Sequence, residues 1–337
     1  MTKIGIIGTG YWGKHHLRAF SQSECEIVGI CDIDPHKKVL ADSYGVKFFA
    51  DYKKLLRKVD AVSIVTSPAT HYQIAKKALK LGKHVLVEKP FVLNTQDAKE
   101  LIFLTKENNR VLMVGHIYLF HPAIIELRKL IVQKDLGKIY YLISERLNLG
   151  IIRNDVNSLW NFAPHDLSIL LYLLDKKPRA AAAFGRAFLH PGIEDITILN
   201  LTYADDTLAH LILSWLHPAK VRQLTLVGSQ KMAVFDDVSQ ESPLKIYDKG
   251  AEPEKVESQK EWQSFGEFKM KIRFGDVVTP SLPATEPLMA EVKHFLDCIK
   301  RGNQPISSGE LGLDVLKILE AADKSLIKGG KLIDIKY

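Results

Sequence analysis

The chain has 337 residues, enough for two domains, and with 46% hydrophobic and 25% charged residues it has the composition of a globular protein. The formal charge of +7 comes from scattered lysine pairs with no basic stripe, which argues against a nucleic-acid partner. No apolar run approaches the roughly 18 residues of a membrane span. The three cysteines lack metal-ligand spacing, and a strand in place of a signal peptide leads us to expect a reducing cytoplasm.

The first 120 residues alternate predicted strands with predicted helices. The strands are predicted at residues 3–7, 26–31, 46–49, 61–65, 84–87 and 111–114. The helices are predicted at residues 14–21, 35–44, 70–81 and 95–108. This alternation is typical of a doubly wound parallel sheet with helices on both faces. We therefore predict a first α/β domain that covers residues 1–120.

The pattern changes after residue 120, where β-type runs separated by turns dominate. Helices are predicted up to residue 133 and at 164–174, 286–301 and 309–328. Strands are predicted at residues 138–146, 180–188, 195–203, 208–215, 222–227, 233–235 and 331–335. The polar stretch 237–283 predicts a hairpin and an irregular connection. We expect a second domain at 121–337 with a largely antiparallel sheet.

The first predicted strand runs directly into a glycine-rich turn, Gly8-Thr9-Gly10-Tyr11-Trp12-Gly13. In a strand–turn–helix context, Gly8 permits a tight turn, Gly10 lets backbone approach a pyrophosphate, and Gly13 allows close helix packing. The helix N-terminus then offers free N–H groups and the positive end of its dipole to phosphates. The run predicts a dinucleotide site.

Asp32 strengthens this prediction, because it ends the second predicted strand 19 residues after Gly13. That is near the spacing of about 20 residues expected for an acid that binds a ribose 2′-hydroxyl. The carboxylate would repel a 2′-phosphate and no arginine follows closely, so NAD is favoured over NADP. Lys37 and Lys38 are the nearest cations that could reverse this preference. The alternative is a plain glycine turn with a surface aspartate.

Three polar segments follow later strands at the carboxyl edge of the predicted sheet, where open α/β sheets bind ligands. They are Thr66-Ser67-Pro68, Glu88-Lys89-Pro90 and Gly115-His116. Lys89 could donate a hydrogen bond to a substrate oxygen and stabilise alkoxide character as a hydroxyl is oxidised. The alternative is a surface lysine paired with Glu88.

A second group of polar residues lies in the segment from Trp160 to Asp166. Pro164 suits the first position of a helix, which predicts that His165 and Asp166 lie in the first turn and face the cleft between the domains. Histidine can exchange a proton at neutral pH, as alcohol oxidation requires. Alternatively, His165 only packs against the start of the helix.

These segments together resemble the Gfo/Idh/MocA oxidoreductases over essentially the whole chain. The resemblance is carried by the glycine turn, Asp32, residues 66–71, residues 82–90 and His165-Asp166. It implies a Rossmann domain, an α/β domain with an open, mostly antiparallel sheet, and hydride transfer at a sugar or cyclitol carbon. It also implies catalytic roles for Lys89 and His165, a cis-proline at Pro90, and a homo-oligomer.

Two sets of ligand contacts follow from the motifs and the resemblance together. The predicted cofactor contacts are Gly8, Thr9, Gly10, Tyr11, Trp12, Gly13, Asp32, Thr66, Ser67, Pro68, His71, Glu88 and Lys89. The predicted substrate contacts are Lys89, His116, Arg153, Asn157, Asn161 and His165, with no metal. For Arg153 and Asn157, a polar loop between the domains is an equal alternative.

One position departs from the family pattern. Many members carry an aspartate four residues before the catalytic histidine, and this chain has Asn161, which cannot accept a proton. The segments 115–122 and 147–160 resemble the branch that oxidises C3 of UDP-linked N-acetyl sugars. A relative acting on free sugars, inositols or keto-deoxy sugars stays an alternative, as does a non-catalytic NAD sensor.

Overall fold

The computed structural model describes residues 1–150, 152–253 and 270–337, which contain two sheets. The first sheet has six parallel strands in the order β3-β2-β1-β4-β5-β6. Their bounds are β1 Thr2–Ile7, β2 Cys25–Cys31, β3 Lys47–Phe49, β4 Ala61–Ile64, β5 His84–Glu88 and β6 Leu112–Gly115. The strand order reverses between β1 and β4, which creates the crevice where such sheets bind ligands.

Five helices connect these strands: α1 Tyr11–Ser21, α2 Lys38–Ser43, α3 Tyr52–Leu56, α4 Pro68–Lys80 and α5 Thr95–Glu107. The predicted doubly wound domain is confirmed, with boundaries displaced by a few residues. The helix predicted at 35–44 is a 3-10 turn, Pro35–Lys37, followed by α2. The short α3 was not predicted, because five residues carry too little periodicity, although Asp51 caps its N-terminus.

The second sheet has nine strands in the order β14-β13-β12-β11-β7-β10-β9-β8-β15. Their bounds are β7 Ile139–Leu149, β8 Ala180–Arg186, β9 Ile196–Thr202, β10 Leu208–Ser214, β11 Leu216–Gly228, β12 Met232–Asp236, β13 Leu244–Pro253, β14 Met270–Val278 and β15 Ile333–Asp334. Among the described strands of this second sheet, only β7 and β10 pair in parallel, so the expected mostly antiparallel sheet is confirmed.

The predicted hairpin within 237–283 corresponds to the antiparallel pair β13 and β14. Residues 254–269 of that stretch lie outside the described residues. The strand β11 begins at Leu216, six residues before its predicted start. Its first residues pair with β7 across an irregularity in the register, which breaks the alternation that the sequence prediction relied on.

Four further helices cover the sheets: α6 Pro122–Val132, α7 Ser158–Leu174, α8 Pro287–Arg301 and α9 Gly309–Ile327. Although they come last in the chain, α8 packs on α1, and α9 packs on α5 and β6 as well as on β8. The C-terminal helices therefore connect the two sheets, and a domain boundary at residue 120 stays a prediction. In the described part of the chain, no helix has the length and apolarity to cross a bilayer.

The start of α7 corrects one prediction. The helix begins at Ser158, where the Asn157 side chain accepts a hydrogen bond from the backbone N–H of Trp160. Pro164 therefore lies inside the helix and not at its first position, and His165 lies beyond the first turn. The prediction was wrong because it treated the proline as the start signal and overlooked the asparagine cap.

Asp195 closes the loop between β8 and β9 and offers a test of this part of the fold. Its buried carboxylate accepts hydrogen bonds from Trp215 Nε1 at 2.6 Å and from the backbone N–H groups of Phe188 and Leu189 at 2.6 and 3.0 Å. Asp195→Ala leaves these donors unpaired, and we expect a loss of about 3 kcal/mol in the free energy of unfolding. Urea denaturation would measure it.

The matched control is Asp334→Ala, because Asp334 is exposed on β15. We expect this change to stay within about 0.5 kcal/mol of the wild type. Equal effects of the two substitutions would contradict a structural role for the Asp195 carboxylate.

Candidate active site

The glycine turn joins β1 to α1, and the three glycines serve different purposes. Gly8 has a φ of +87°, which favours glycine. A Cβ on Gly13 would lie 2.1 Å from the Gly8 carbonyl oxygen, so the helix packs directly on the turn. A Cβ on Gly10 would meet no described atom within 4 Å. No described side chain caps α1 at Gly10, so its first N–H groups are available to phosphate oxygens.

Asp32 ends β2 beside this turn. Its Oδ2 accepts hydrogen bonds from the backbone N–H and the hydroxyl of Thr9, both at 2.7 Å, and its Oδ1 accepts the N–H of Asp34 at 3.0 Å. Burial acts to raise the pKa of Asp32, but these bonds lower it below its usual value. The carboxylate is therefore ionised and fixed beside the turn, which suits a ribose diol and disfavours a 2′-phosphate.

The segments after β4 and β5 are joined by His71. This buried residue of α4 places Nδ1 3.0 Å from the Pro90 carbonyl oxygen and Nε2 3.1 Å from the Thr66 carbonyl oxygen. The Lys89–Pro90 bond is cis, as the resemblance implied. His71 thus links the loop after β4 to the loop after β5. Ser67 and Pro68 start α4 at the same edge of the sheet.

Glu88 anchors the loop that carries Lys89. Its Oε1 lies 3.0 Å from His16 Nε2, and its Oε2 accepts the backbone N–H of Lys89 at 3.0 Å. The other ring nitrogen of His16 lies 2.9 Å from the Ser63 hydroxyl. Burial acts to raise the pKa of Glu88, but His16 and Lys89 lower it, so the carboxylate is ionised. Both of its oxygens are thus engaged by other groups of the protein.

A cavity of about 330 Å³ lies between the two sheets, beside the glycine turn. Of the predicted site residues, it is lined by Trp12, Lys89, Asn161 and His165. Five further polar residues that are not among the predicted site residues also line it, namely Tyr118, His121, Arg146, Arg222 and Asp237. The structure therefore brings the two predicted catalytic side chains to one cavity.

Lys89 and His165 have opposite protonation preferences. The Lys89 ammonium donates a hydrogen bond to the Asn161 carbonyl oxygen at 3.2 Å. Burial lowers the pKa of Lys89 to about 8. The positive charges of nearby arginines lower this pKa as well, and the negative charge of Glu88 opposes the shift. Burial, followed by the charge of Lys89, holds the pKa of His165 well below its usual value. At neutral pH the pair offers a proton donor and a proton acceptor.

The Lys89 ammonium binds the backbone of α7 close to its interior proline. Pro164 has no N–H group, so the carbonyl oxygen of Trp160, four residues earlier, lacks its usual helical donor. The Asn161 carbonyl oxygen, three residues earlier, accepts the Lys89 ammonium. Asn161 thus contributes its backbone oxygen to the site in addition to any contact of its side-chain amide.

The far wall of the cavity is built by charges from separate elements. Arg146 of β7 and Asp166 of α7 form a buried two-point ion pair, with Nε and Nη2 each 2.9 Å from a carboxylate oxygen. The Tyr118 hydroxyl donates to Asp237 at 2.8 Å, and Arg222 lies 3.2 Å from the same carboxylate. The Tyr118 ring also meets the His165 ring edge-on, with centroids 5.1 Å apart.

Three predicted substrate residues do not line the cavity. Arg153 pairs with Asp155, and its positive charge still acts on Lys89. Asn157 caps α7 and donates a hydrogen bond to Glu194 at 2.8 Å. His116 is buried behind the cavity, 1% exposed. Their spacing in sequence indicated polar loops near the cleft, but contacts from distant segments determine where each side chain points.

The glycines allow a test that separates folding from cofactor binding. For Gly13→Ala we expect a lower melting temperature and loss of NAD binding, because the new Cβ meets the backbone of the turn. For Gly10→Ala we expect an unchanged melting temperature and a drop of about tenfold or more in NAD affinity, because the methyl group only blocks the phosphate approach. Thermal melts and NAD titrations measure both. Normal NAD affinity in Gly10→Ala would contradict a pyrophosphate contact here.

Family models cover both parts of the chain. A model described as "Oxidoreductase family, NAD-binding Rossmann fold" matches residues 2–116. A model described as "GFO/IDH/MocA C-terminal domain" matches residues 124–234. The glycine turn and Asp32 thus lie within a recognised NAD-binding domain, and NAD is the cofactor that fits them.

Individual relatives agree with the models. The UDP-N-acetylglucosamine 3-dehydrogenase of Acidithiobacillus ferrooxidans is 32% identical over 251 residues, 74% of this chain and 78% of that protein. Its solved structure superposes with a TM-score of 0.83 at 28% identity, covering 97% of this chain and 98% of that one. The inositol 2-dehydrogenase/D-chiro-inositol 3-dehydrogenase of Lactiplantibacillus plantarum is 31% identical over 41% of this chain and 42% of its own. The chain belongs to the Gfo/Idh/MocA family of NAD-binding oxidoreductases.

Proposed function

We propose that this oxidoreductase interconverts a secondary alcohol and a ketone at C3 of a UDP-linked N-acetyl sugar. The observation that carries the proposal is the convergence of Lys89 and His165 on one cavity beside the glycine turn. The cavity is concave and polar at one end, as a sugar-ring site requires. The similarity to a UDP-N-acetylglucosamine 3-dehydrogenase supports the choice of sugar and carbon.

The two side chains divide the acid–base work. NAD, when bound, accepts the hydride from the substrate C–H bond. The neutral His165 imidazole takes the hydroxyl proton as that O–H bond breaks and the C=O bond forms. The Lys89 ammonium donates a hydrogen bond to the same oxygen and stabilises its developing negative charge. In the reverse direction, His165 returns the proton to the oxygen.

The charges around the cavity favour an anionic substrate. Among the described lining residues, the cations Lys89, Arg146 and Arg222 outnumber the one carboxylate, Asp237. Asp166, which pairs with Arg146, and Glu88, whose negative charge acts on Lys89, lie outside the lining. A nucleotide diphosphate near the mouth would be attracted by this field.

The central prediction concerns the catalytic pair. Lys89→Met and His165→Asn should each lower the turnover of UDP-N-acetylglucosamine by about 100-fold or more, because each removes one partner of the reacting oxygen. NAD affinity should stay within about twofold, because the glycine turn is untouched. NADH absorbance and NAD titration measure the two effects. Lys328→Met, at an exposed position after α9, is the matched control and should leave both values unchanged.

A substrate panel distinguishes the members of the family. We expect NADH formation with UDP-N-acetylglucosamine or its uronate, and little with N-acetylglucosamine or myo-inositol. Activity confined to an inositol or a free sugar would replace the nucleotide sugar as the substrate. Tightly bound NAD with no turnover of any alcohol would indicate a sensor.

The pH profile tests the protonation states. Protonated Lys89 predominates below its pKa of about 8, so oxidation should weaken as the pH rises through that value. Glu88→Gln removes a charge that raises this pKa and should move the alkaline limb to lower pH. Arg222→Gln removes a charge that lowers it and should move the limb to higher pH. The measurement is kcat/KM as a function of pH for the wild type and both variants. If the alkaline limb moved in the same direction in both variants, its assignment to Lys89 would be contradicted.

We also propose that the chain forms a homo-oligomer through the open face of its second sheet. Tyr141 of β7 and Leu208 of β10 are neighbours in register, and both side chains are exposed. Exposed apolar side chains in adjacent positions of a sheet are typical of a protein interface. Sedimentation analysis would measure the assembly, and a monomer at micromolar concentration would contradict it.

A further inference from the structure

A group of buried polar side chains lies behind the cavity without partners. Both ring nitrogens of His116, both carboxyl oxygens of Glu291, the Ser307 hydroxyl and Nδ1 of His165 have no hydrogen-bond partner among the described residues. His116 is 1% exposed, and Glu291 and Ser307 are fully buried. Native proteins rarely leave such groups unpaired and commonly satisfy them with ordered water.

These groups gather around the end of β6. His116 follows Gly115, which pairs with Glu88 across the sheet, and a Cβ on Gly115 would lie 3.1 Å from Glu88 Oε1. The Ser307 carbonyl oxygen accepts the N–H of Val114 at 2.8 Å, two residues before His116.

The helix α8 brings Glu291 to the same place. It packs on α1 and on the 3-10 helix Ile117–Phe120, which begins directly after His116. The rings of Phe120 and His294 lie 5.3 Å apart, and Glu291 is one helical turn before His294. The three buried side chains therefore come from three separate segments. His116 is close enough to act electrostatically on Lys89 and His165, and both His116 and Glu291 feel the charge of Glu88.

The protonation states of this group suit proton transfer. Burial lowers the pKa of His116 to about 4. The charge of Lys89 also lowers this pKa and that of Glu88 raises it, and the imidazole is therefore neutral at neutral pH. Burial and the nearby Glu88 carboxylate hold the pKa of Glu291 well above its usual value, so its carboxyl is protonated. A neutral imidazole and a protonated carboxyl can each accept one proton while releasing another.

We propose that His116 and Glu291, with the water that satisfies them, form an internal proton relay that starts at Nδ1 of His165. The relay rests on the proposed function. Alcohol oxidation by NAD yields a ketone, NADH and one proton, and the proton reaches His165 as the substrate O–H bond breaks. His165 then releases its Nδ1 proton to one nitrogen of His116, and His116 passes the proton of its other nitrogen to Glu291. Glu291 in turn releases its own hydroxyl proton to the water that satisfies it, which carries the proton to bulk solvent.

Other groups near His165 are poorly placed for this task. Asn161 cannot accept a proton, and Lys89 is already protonated at neutral pH. Both oxygens of Glu88 are engaged, one by His16 and the other by the Lys89 N–H. Asp237, the carboxylate in the cavity lining, is engaged by Tyr118 and Arg222, whereas His165 Nδ1 is itself one of the buried atoms without a partner among the described residues.

The first test follows hydride and proton separately in stopped-flow experiments on the NAD-loaded enzyme with UDP-N-acetylglucosamine. NADH absorbance reports the hydride and a pH-indicator dye reports the proton. In the wild type, both signals should rise together. In His116→Phe and Glu291→Gln, we expect proton release to lag by about tenfold or more with an unchanged KM. His217→Phe, at a half-buried position outside the cavity lining, is the control and should show no lag.

The second test does not depend on turnover. A high-resolution crystal structure of the NAD complex should show ordered water linking His165 Nδ1, His116 and Glu291. Direct packing of these side chains with no water between them would overturn the relay. NADH absorbance and dye signals that rise together in both His116→Phe and Glu291→Gln would overturn it as well. If UDP-N-acetylglucosamine is not oxidised at all, the proposed substrate fails, and the crystal structure still decides on the relay.

Discussion

The carboxylate of Glu88 is the charge on which the site depends. It lies at the end of β5, holds the Lys89 backbone with one oxygen and meets His16 of α1 with the other. A buried ammonium beside several arginines would lose its proton without a nearby negative charge. Glu88 supplies that charge and ties the Lys89 loop to the helix that follows the glycine turn. The helix of the NAD-binding turn and the loop of Lys89 are thus joined through a single side chain.

The second half of the site is arranged by α7 and the sheet behind it. The helix presents Asn161 and His165 one turn apart, and Lys89 binds the backbone carbonyl oxygen of Asn161. The buried pair of Arg146 and Asp166 fixes this helix against β7. Because the pair is internally neutral, it holds the helix without adding net charge to the cavity.

Local signals predicted much of this arrangement. The glycine turn, Asp32 and Lys89 each follow directly from a strand, so their place at the sheet edge could be derived from sequence order alone. The start of α7 was misjudged because a proline and an asparagine cap compete as start signals six to seven residues apart. Tyr118, Arg222 and Asp237 were missed because each lies in an ordinary apolar or polar stretch with no motif around it.

By itself, the sequence determined the Rossmann domain, the second sheet and the NAD preference, and it singled out Lys89 and His165 as the pair now proposed to be catalytic. These depend on short-range patterns, namely periodicity, glycine spacing and residues at strand ends. Only the tertiary structure decided which side chains meet across the cavity, that Asn157 turns to Glu194, and that His116 lies behind His165. These contacts join residues from 37 positions apart, as in Asn157 and Glu194, to 119 positions apart, as in Tyr118 and Asp237, and their packing has no counterpart in local sequence.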